Sequence, residues 1–174
     1  MKASIPILGF SAYSGTGKTT LLRQLIPLLK ERGLRISVIK HAHHHFELDF
    51  PGKDRYELRK AGADQTVICT TTRMALITEF DSPSAEPELQ QIIDSLDTER
   101  ADIILVEGYK DIHFPKIELH RGTMGKPFLY QKDTSVIALA CDDAPPEGIK
   151  IPVLDINDVE AIAEFIYTDF YLAK

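Results

Sequence analysis

The segment Ala12-Tyr-Ser-Gly-Thr-Gly-Lys-Thr19 has the residue types and the spacing of a phosphate-binding loop. It meets the pattern G-x-x-x-x-G-K-[ST] except at the first position, where Ala12 stands in place of glycine. In such loops the lysine ammonium bridges the β- and γ-phosphates of a nucleotide, and the hydroxyl that follows ligates Mg²⁺. Lys18 and Thr19 occupy these two positions, so the chain is predicted to bind a nucleotide together with Mg²⁺.

The backbone of this loop has its own part in the prediction. Successive N–H groups can form an anion nest around a phosphate, and the N-terminus of the helix that follows adds its positive dipole end. Glycines permit the backbone angles and the close approach that side chains would obstruct. We therefore expect seven consecutive residues to hold the nucleotide, with Lys18 also catalytic: Ser14, Gly15, Thr16, Gly17, Lys18, Thr19 and Thr20.

An acidic partner for the loop is predicted at the end of a buried strand. Residues 102–107 form an apolar run between two carboxylates, and Glu107 lies at the carboxyl end, where open α/β sheets place their ligands. Glu107 is the predicted catalytic carboxylate and a contact to the metal, whereas Asp102 at the far end is expected to be structural. Asp54, in the turn Pro51-Gly-Lys-Asp54, is a further candidate for Mg²⁺ as part of a switch-like segment.

Residues 40–49 hold four histidines and two carboxylates in one polar segment, with His43 to His45 consecutive. These side chains suit Zn²⁺ or Ni²⁺, but the same segment also suits contacts to phosphates or to another protein, or simple solvation. The sequence leaves these alternatives open.

Base recognition is also left open. No Asn/Thr-Lys-x-Asp stretch follows a late strand, although residues 140–143 and 154–158 each offer carboxylates that would suit guanine. Asn157 and Asp158 have a competing role at the start of the last helix. The residues alone do not choose between GTP and ATP.

Apolar runs alternate with helical periodicity along most of the chain, which predicts a mostly parallel sheet with helices on both faces. Two neighbouring runs depart from this alternation and predict an antiparallel hairpin extension. The expected architecture is a P-loop NTPase-type α/β fold in a single nucleotide-binding domain, residues 1–174. The predicted strands cover residues 5–10, 34–39, 65–71, 73–80, 102–108, 116–120, 135–141 and 151–156, and the predicted helices cover residues 18–32, 56–61, 88–96 and a last helix that opens at Asn157.

The 174 residues are 44% hydrophobic and 26% charged, as expected of a globular domain with its own core. The formal charge of −6 argues against a general nucleic-acid binder. No run approaches the ~20 apolar residues of a membrane span, and the N-terminus has no signal-peptide pattern. We therefore expect a cytoplasmic protein, with Cys69 and Cys141 as buried free thiols.

Four segments together resemble the MobB family of molybdopterin-guanine dinucleotide biosynthesis adapter proteins: residues 14–22, 39–45, 51–63 and 104–109, with residues 154–159 also similar. The resemblance implies a GTP-binding homodimer with weak hydrolysis. It implies MobA, the guanylyltransferase that joins GMP to molybdopterin, as a partner. The implied role is to supply GTP, or to help deliver the finished guanine dinucleotide of molybdopterin. Carried over by position, the phosphates and Mg²⁺ are held by Gly15, Gly17, Lys18 and Thr19, with Glu107 supporting the metal.

Two other functions fit parts of the sequence. A nickel-metallochaperone GTPase would account for the histidine-rich segment. An ATP-dependent small-molecule kinase would share the phosphate loop, but such kinases usually add an arginine-bearing helical lid, and the loop region after Glu107 offers only Arg121.

Overall fold

The computed structural model describes residues 3–42, 52–80 and 87–173. It divides the chain into two compact units, one formed by residues 1–41 with 89–174 and the other by residues 42–88. In chain order the elements are β1 (Ile7–Ser11), α1 (Lys18–Glu31), β2 (Ile36–Lys40), α2 (Asp54–Lys60), β3 (Gln65–Cys69), β4 (Met74–Thr78), α3 (Leu89–Asp94), β5 (Ile103–Glu107), β6 (Lys116–His120), β7 (Val136–Cys141), β8 (Val153–Asp155) and α4 (Val159–Phe165).

The first unit contains a six-stranded sheet in the order β2-β5-β1-β6-β7-β8. Every neighbouring pair in it is parallel, which confirms the predicted parallel sheet. Because parallel strands all end at the same edge, the segments after β1, β2, β5, β6, β7 and β8 meet there. The predicted phosphate-binding loop, called the phosphate loop below, follows β1, near the middle of this edge.

Side chains alternate between the two faces of the sheet and form two apolar clusters. Leu8 and Phe10 of β1 belong to the cluster that contains α1 and α4, whereas Ile7 belongs to the cluster that contains α3 and Phe114. Both clusters are buried, as the near-continuous apolar strands predicted. Among the described residues, every helix is too short or too polar to cross a bilayer.

The last helix differs from its prediction at its start. Its cap is Asp158, whose carboxylate accepts a hydrogen bond from the N–H of Ala161 at 2.9 Å, so the expected opening at Asn157 was one residue early. Beyond Phe165 the helix continues as a π-helical segment, Ile166–Tyr171, which buries Ile166 and Phe170. The burial of both residues agrees with the helical spacing of the apolar positions in this part of the sequence.

The second unit contains α2 and the antiparallel pair β3 and β4, with Gln65 opposite Thr78 and Cys69 opposite Met74. The predicted hairpin is therefore confirmed. The prediction of two buried thiols was wrong for Cys69, which is exposed, while Cys141 is buried. A two-stranded sheet has no interior of its own in which to bury both faces, and that explains the difference. The predicted segments at residues 43–51 and 81–86 lie outside the described residues.

Asp102 joins the start of β5 to the chain just before β2. Its carboxylate accepts hydrogen bonds from the backbone N–H and the guanidinium of Arg35, at 2.7 to 3.0 Å. The side-chain hydrogen bond from Arg35, followed by the backbone one, lowers the pKa of Asp102 from 3.8 to about 2. This agrees with the structural role predicted for Asp102, at the end of the strand opposite to Glu107.

The Asp102–Arg35 contact makes the stability of the fold depend on acid pH. A carboxyl group with a depressed pKa in the folded state stabilises that state above its unfolded pKa, and this contribution is lost as the pH falls through the folded value. Thermal melting should therefore show Asp102→Asn melting below the unsubstituted chain at neutral pH, with the difference closing between pH 3.8 and about 2. Asp111→Asn, at an exposed aspartate, is the control and should track the unsubstituted chain throughout. A constant offset for Asp102→Asn would contradict the assignment.

Candidate nucleotide-binding site

The loop between β1 and α1 has the backbone shape of an anion nest. Gly15 and Gly17 have φ angles of 86° and 102°, in the left-handed region that glycine adopts without steric penalty. α1 begins directly after Gly17, so the N–H groups of its first turn have no carbonyl inside the helix to bond. Free N–H groups at a helix N-terminus attract anions, so the loop has the backbone geometry that the predicted phosphate binding requires, and the binding itself stays a prediction.

The replacement of the first glycine by Ala12 does not strain the loop. The φ angle of Ala12 is negative, since Tyr109 is the only described residue other than glycine with a positive φ. Thr16, further along, is only 2% exposed, and its hydroxyl donates to the carbonyl of Tyr13 at 2.8 Å. A phosphate contact from Thr16 would therefore come from its backbone.

The ammonium of Lys18 lies across the loop. Nζ donates to the carbonyl oxygens of Ala12 and Tyr13 at 3.0 and 3.3 Å. Burial lowers the pKa of Lys18, and the ammonium groups of Lys40 and Lys110 lower it further, whereas the carboxylate of Glu107 opposes the shift. Phosphate oxygens at the nest would supply further negative charge and favour the protonated lysine.

Thr19 and Glu107, predicted from separate parts of the sequence, are in direct contact. Thr19 Oγ1 lies 3.1 Å from Glu107 Oε1, and the Lys40 ammonium lies 3.1 Å from Thr19 Oγ1 and 3.2 Å from Glu107 Oε2. We call these three side chains the Thr19–Glu107–Lys40 cluster. A hydroxyl and a carboxylate are oxygen ligands of the kind that Mg²⁺ prefers, and here they already hold a cationic group.

The register of the sheet positions this cluster. β5 lies between β1 and β2, with Glu107 opposite Phe10 on one side and opposite Lys40 on the other. The strands stay close beyond this point, because the N–H of His41 donates to the carbonyl of Glu107 at 2.8 Å. At Gly108 (φ 111°) a Cβ would lie 2.6 Å from the Cβ of His41, so only glycine allows the two chains to come so near.

Arg121, which follows β6, forms a hydrogen bond to the loop between β1 and α1. Its Nε donates to the carbonyl of Thr16 at 3.2 Å, and its Nη1 donates to Asp142 at 2.7 Å and to Asn157 at 3.2 Å. The hydrogen bond from the N–H of Gly122 lowers the pKa of Asp142, with Arg121 adding to the effect. Arg121 therefore connects the loop between β1 and α1, through hydrogen bonds, to the segments that follow β7 and β8.

A cavity of about 380 Å³ lies beside the loop, lined by residues 15–17, Gln24, Arg121 and Asn157. A more open groove of about 650 Å³ shares Gln24 and Asn157 with it and extends to Asp155. Cavities of this size hold small-molecule ligands, and their position next to the nest suits the ribose and base of a bound nucleotide.

The carboxylates that the sequence offered for reading guanine differ in the hydrogen bonds they already form. Asp158 caps α4, and Asp142 holds Arg121 and Gly122. Asp155 uses Oδ1 to accept from the N–H of Asn157 at 2.8 Å, and within the described part of the chain no partner bonds its Oδ2. Asp155 thus has a carboxylate oxygen left for a ligand in the groove.

Other predicted candidates lie in the second unit or outside the described residues. Asp54 begins α2 in the second unit, so its predicted role in binding Mg²⁺ stays a prediction. His43, His44 and His45 lie outside the described residues. Within residues 3–42, 52–80 and 87–173, no group of three or more His, Cys, Asp or Glu side chains is placed to hold a metal ion.

Lys40 and Arg121 were not predicted as site residues, although the sequence held a signal for both. Lys40 ends β2 and Arg121 directly follows β6, so each lies at the carboxyl edge of the sheet. The same rule that selected Glu107 at the end of β5 points to these positions.

Comparison with known proteins places this geometry in a family. The family model described as "Molybdopterin guanine dinucleotide synthesis protein B" (MobB) matches residues 7–142. The molybdopterin-guanine dinucleotide biosynthesis adapter protein of Escherichia coli strain K12 is 49% identical over 166 residues, which is 95% of this chain and 93% of that protein. The protein of the same name from Haemophilus influenzae is 43% identical and covers 95% of this chain and 90% of its own length.

Solved structures agree with these sequence matches. The crystal structure of a molybdopterin-guanine biosynthesis protein B (mobB) superposes with a TM-score of 0.71 at 26% identity, covering 93% of this chain and 98% of its own. The structure of Bacillus subtilis MobB has a TM-score of 0.70 at 22% identity and covers 94% and 97%, which supports the fold. The chain therefore belongs to the MobB family of molybdopterin guanine dinucleotide synthesis proteins.

Proposed function

We propose that this protein binds GTP with Mg²⁺ at the β1–α1 loop and acts as an adapter in the biosynthesis of molybdopterin guanine dinucleotide. The observation that carries the proposal is the Thr19–Glu107–Lys40 cluster beside the nest, with Lys18 across the loop. The adapter role comes from the names of the relatives. Binding at this edge is also what the position of the loop in the sheet favours.

Thr19 and Glu107 would hold the metal, since both are oxygen ligands and both already contact one cationic group. Bound Mg²⁺ would neutralise charge on the phosphates. Lys18 would leave the loop carbonyls of Ala12 and Tyr13 and contact the phosphates instead. Asp54 remains a further proposed ligand, on the basis of its turn in the sequence.

Hydrolysis by this site is proposed to be weak. Fast turnover in nucleotide hydrolases usually needs an arginine that contacts the transferred phosphoryl group, or a side chain that orients the attacking water. The guanidinium of Arg121 is instead engaged by Thr16, Asp142 and Asn157. We propose that nucleotide binding, more than catalysis, is what the adapter contributes, and that it acts as a homodimer in the cytoplasm.

The nucleotide preference is tested by calorimetric titration with GTP and ATP, each with Mg²⁺. We propose that Asp155 reads guanine, because its free Oδ2 can accept from the N1 and N2 hydrogens of that base and adenine lacks this pair of donors. Asp155→Asn should weaken GTP binding about tenfold or more, as expected when a hydrogen bond to a charged group is lost, and should leave ATP binding unchanged. Asp158→Asn is the matched control, because asparagine also caps a helix.

The outcomes of that titration separate the candidate functions. GTP preferred by the unsubstituted chain but not by Asp155→Asn supports both the nucleotide and the reading residue. Preference for ATP would overturn the proposal and favour the kinase alternative. Preference for GTP in both chains would move base reading away from Asp155 and leave the proposed function in place.

The proposed partner is a MobA-type guanylyltransferase, with molybdopterin or its guanine dinucleotide passing through the complex. Size-exclusion chromatography of the two proteins together, with and without GTP and Mg²⁺, tests this. Co-elution that needs the nucleotide would support an adapter controlled by the site, and separate elution under both conditions would count against a stable complex. The nickel-metallochaperone alternative rests on the histidine-rich segment, and Ni²⁺ titration of His43→Ala/His45→Ala against the unsubstituted chain tests it.

A further inference from the structure

A second cavity, of about 390 Å³, adjoins the other side of the phosphate loop. Ser11 and Tyr13 line it where β1 leads into the loop, and most of the rest of its wall comes from the segment between β5 and β6 and from residues 129–133. Residues 14–20, all of which the structure describes, do not line it. The residues predicted to hold the nucleotide therefore do not line this cavity.

Ser11 gives this cavity a buried polar group with nothing to bond. The residue is 3% exposed, and within the described part of the chain its hydroxyl has no hydrogen-bond partner. Thr16, which is equally buried in the same loop region, bonds the carbonyl of Tyr13 instead. A buried hydroxyl without a partner is unfavourable, and a polar ligand in the cavity would satisfy it.

The charges around the cavity indicate the sign of that ligand. Lys116, buried at the base, pairs with Asp133 at 2.8 Å, so these two charges offset each other. Lys110 and Lys132 also line the cavity, and neither forms an ion pair with a described residue. The carboxylate of Asp111 also lines the cavity and offsets one of the two lysine charges, so one positive charge is left in excess.

We propose that this cavity binds a small molecule that carries a phosphate group or a similar oxyanion, next to the nucleotide and distinct from it. The Ser11 hydroxyl donates to the anion, and the ammonium groups of Lys110 and Lys132 supply the opposing charge. Ile112 and Leu129 line the same cavity and offer apolar contacts to the organic part. The volume lies in the range of small-molecule sites.

The test uses ribose 5-phosphate as the probe, with ribose as its uncharged control, in ¹H–¹⁵N chemical-shift titrations of the full chain. Saturable shifts are expected at Ser11, residues 110–113 and residues 129–133. They should persist in Lys18→Ala and in the protein saturated with GDP and Mg²⁺, because the first disables the nest and the second fills only the nest and the cavity beside residues 15–17. Ribose should give none of them.

Two variants test the proposed contacts. Lys110→Ala/Lys132→Ala should weaken ribose 5-phosphate binding about tenfold or more, whereas Lys30→Ala/Lys150→Ala, which removes two exposed lysines elsewhere, should not. Ser11→Ala should weaken binding about tenfold without lowering the melting temperature, since the lost hydroxyl has no protein partner.

Three results would each overturn the proposal. Shifts confined to residues 14–20 and lost in Lys18→Ala would show that the probe binds only at the nest. Equal losses in the two double-lysine variants would show a general charge effect. The absence of saturable shifts in the unsubstituted chain would show that the cavity does not take this class of ligand.

Discussion

Lys18→Ala should weaken the binding of GTP and Mg²⁺ about a hundredfold or more. The lysine is expected to bridge two phosphates, and the loss of two hydrogen bonds between charged groups is on the order of 3 kcal/mol or more, which is that factor. The fold should be unaffected, because the ammonium donates to only two loop carbonyls. Burial also disfavours the charged form of Lys18, as its lowered pKa shows, so removing the charge should not destabilise the protein.

Calorimetry with Mg²⁺ and GTP measures this effect, and thermal melting of each variant checks the fold. Lys30→Ala is the matched control, since it removes an exposed lysine from the last turn of the same helix, and it should bind as tightly as the unsubstituted chain. If Lys18→Ala folds normally and keeps its affinity for GTP, the assignment of this segment as a phosphate-binding loop is wrong.

Glu107→Gln should slow Mg²⁺-dependent hydrolysis of GTP by about a hundredfold, the scale on which a single electrostatic contributor acts in other enzymes. The substitution keeps the size of the side chain and its contact with Thr19, but it removes the charge that the metal needs. Because basal turnover is expected to be slow, phosphate release in a single-turnover assay is the suitable measurement.

Asp102→Asn is the control for this experiment, since Asp102 lies just before the start of β5 and Glu107 at its end. Its turnover should match that of the unsubstituted chain. An unchanged rate in Glu107→Gln would move the acidic role to Asp54 or Asp49, which are carboxylates of the polar segment and the turn that follow β2 in the sequence.

Local patterns were enough to predict most of the fold. The glycines of the loop, the apolar runs of the strands and the helical spacing after Lys18 are properties of short stretches, and all of them correspond to observed elements. The contact between Thr19 and Glu107 was also predictable, because Glu107 ends β5 and Thr19 lies in the helix after β1, and these two strands are parallel neighbours.

The sequence could place Lys40 and Arg121 at the carboxyl edge of the sheet, but it could not show what they contact there, because the contacts depend on the order and register of the strands. Lys40 enters the site only because β2 pairs with β5 in the register that sets Lys40 opposite Glu107. Arg121 meets Thr16, 105 positions earlier in the chain, through the order of strands β1, β6 and β7. The exposure of Cys69 depends on what covers the hairpin, and a single strand pattern carries no information about that.

The position of Lys40 also bears on how a metal ion would enter. Its ammonium contacts the same two oxygen-bearing side chains, Thr19 and Glu107, that are proposed to hold Mg²⁺. Two cations cannot share these oxygens at such distances without strong repulsion. Lys40 would therefore act as a tethered counter-ion that the proposed metal would have to displace. Loading would be an exchange of one cation for another, and free Mg²⁺ would gain little there until a nucleotide arrived whose phosphates could accept the released lysine.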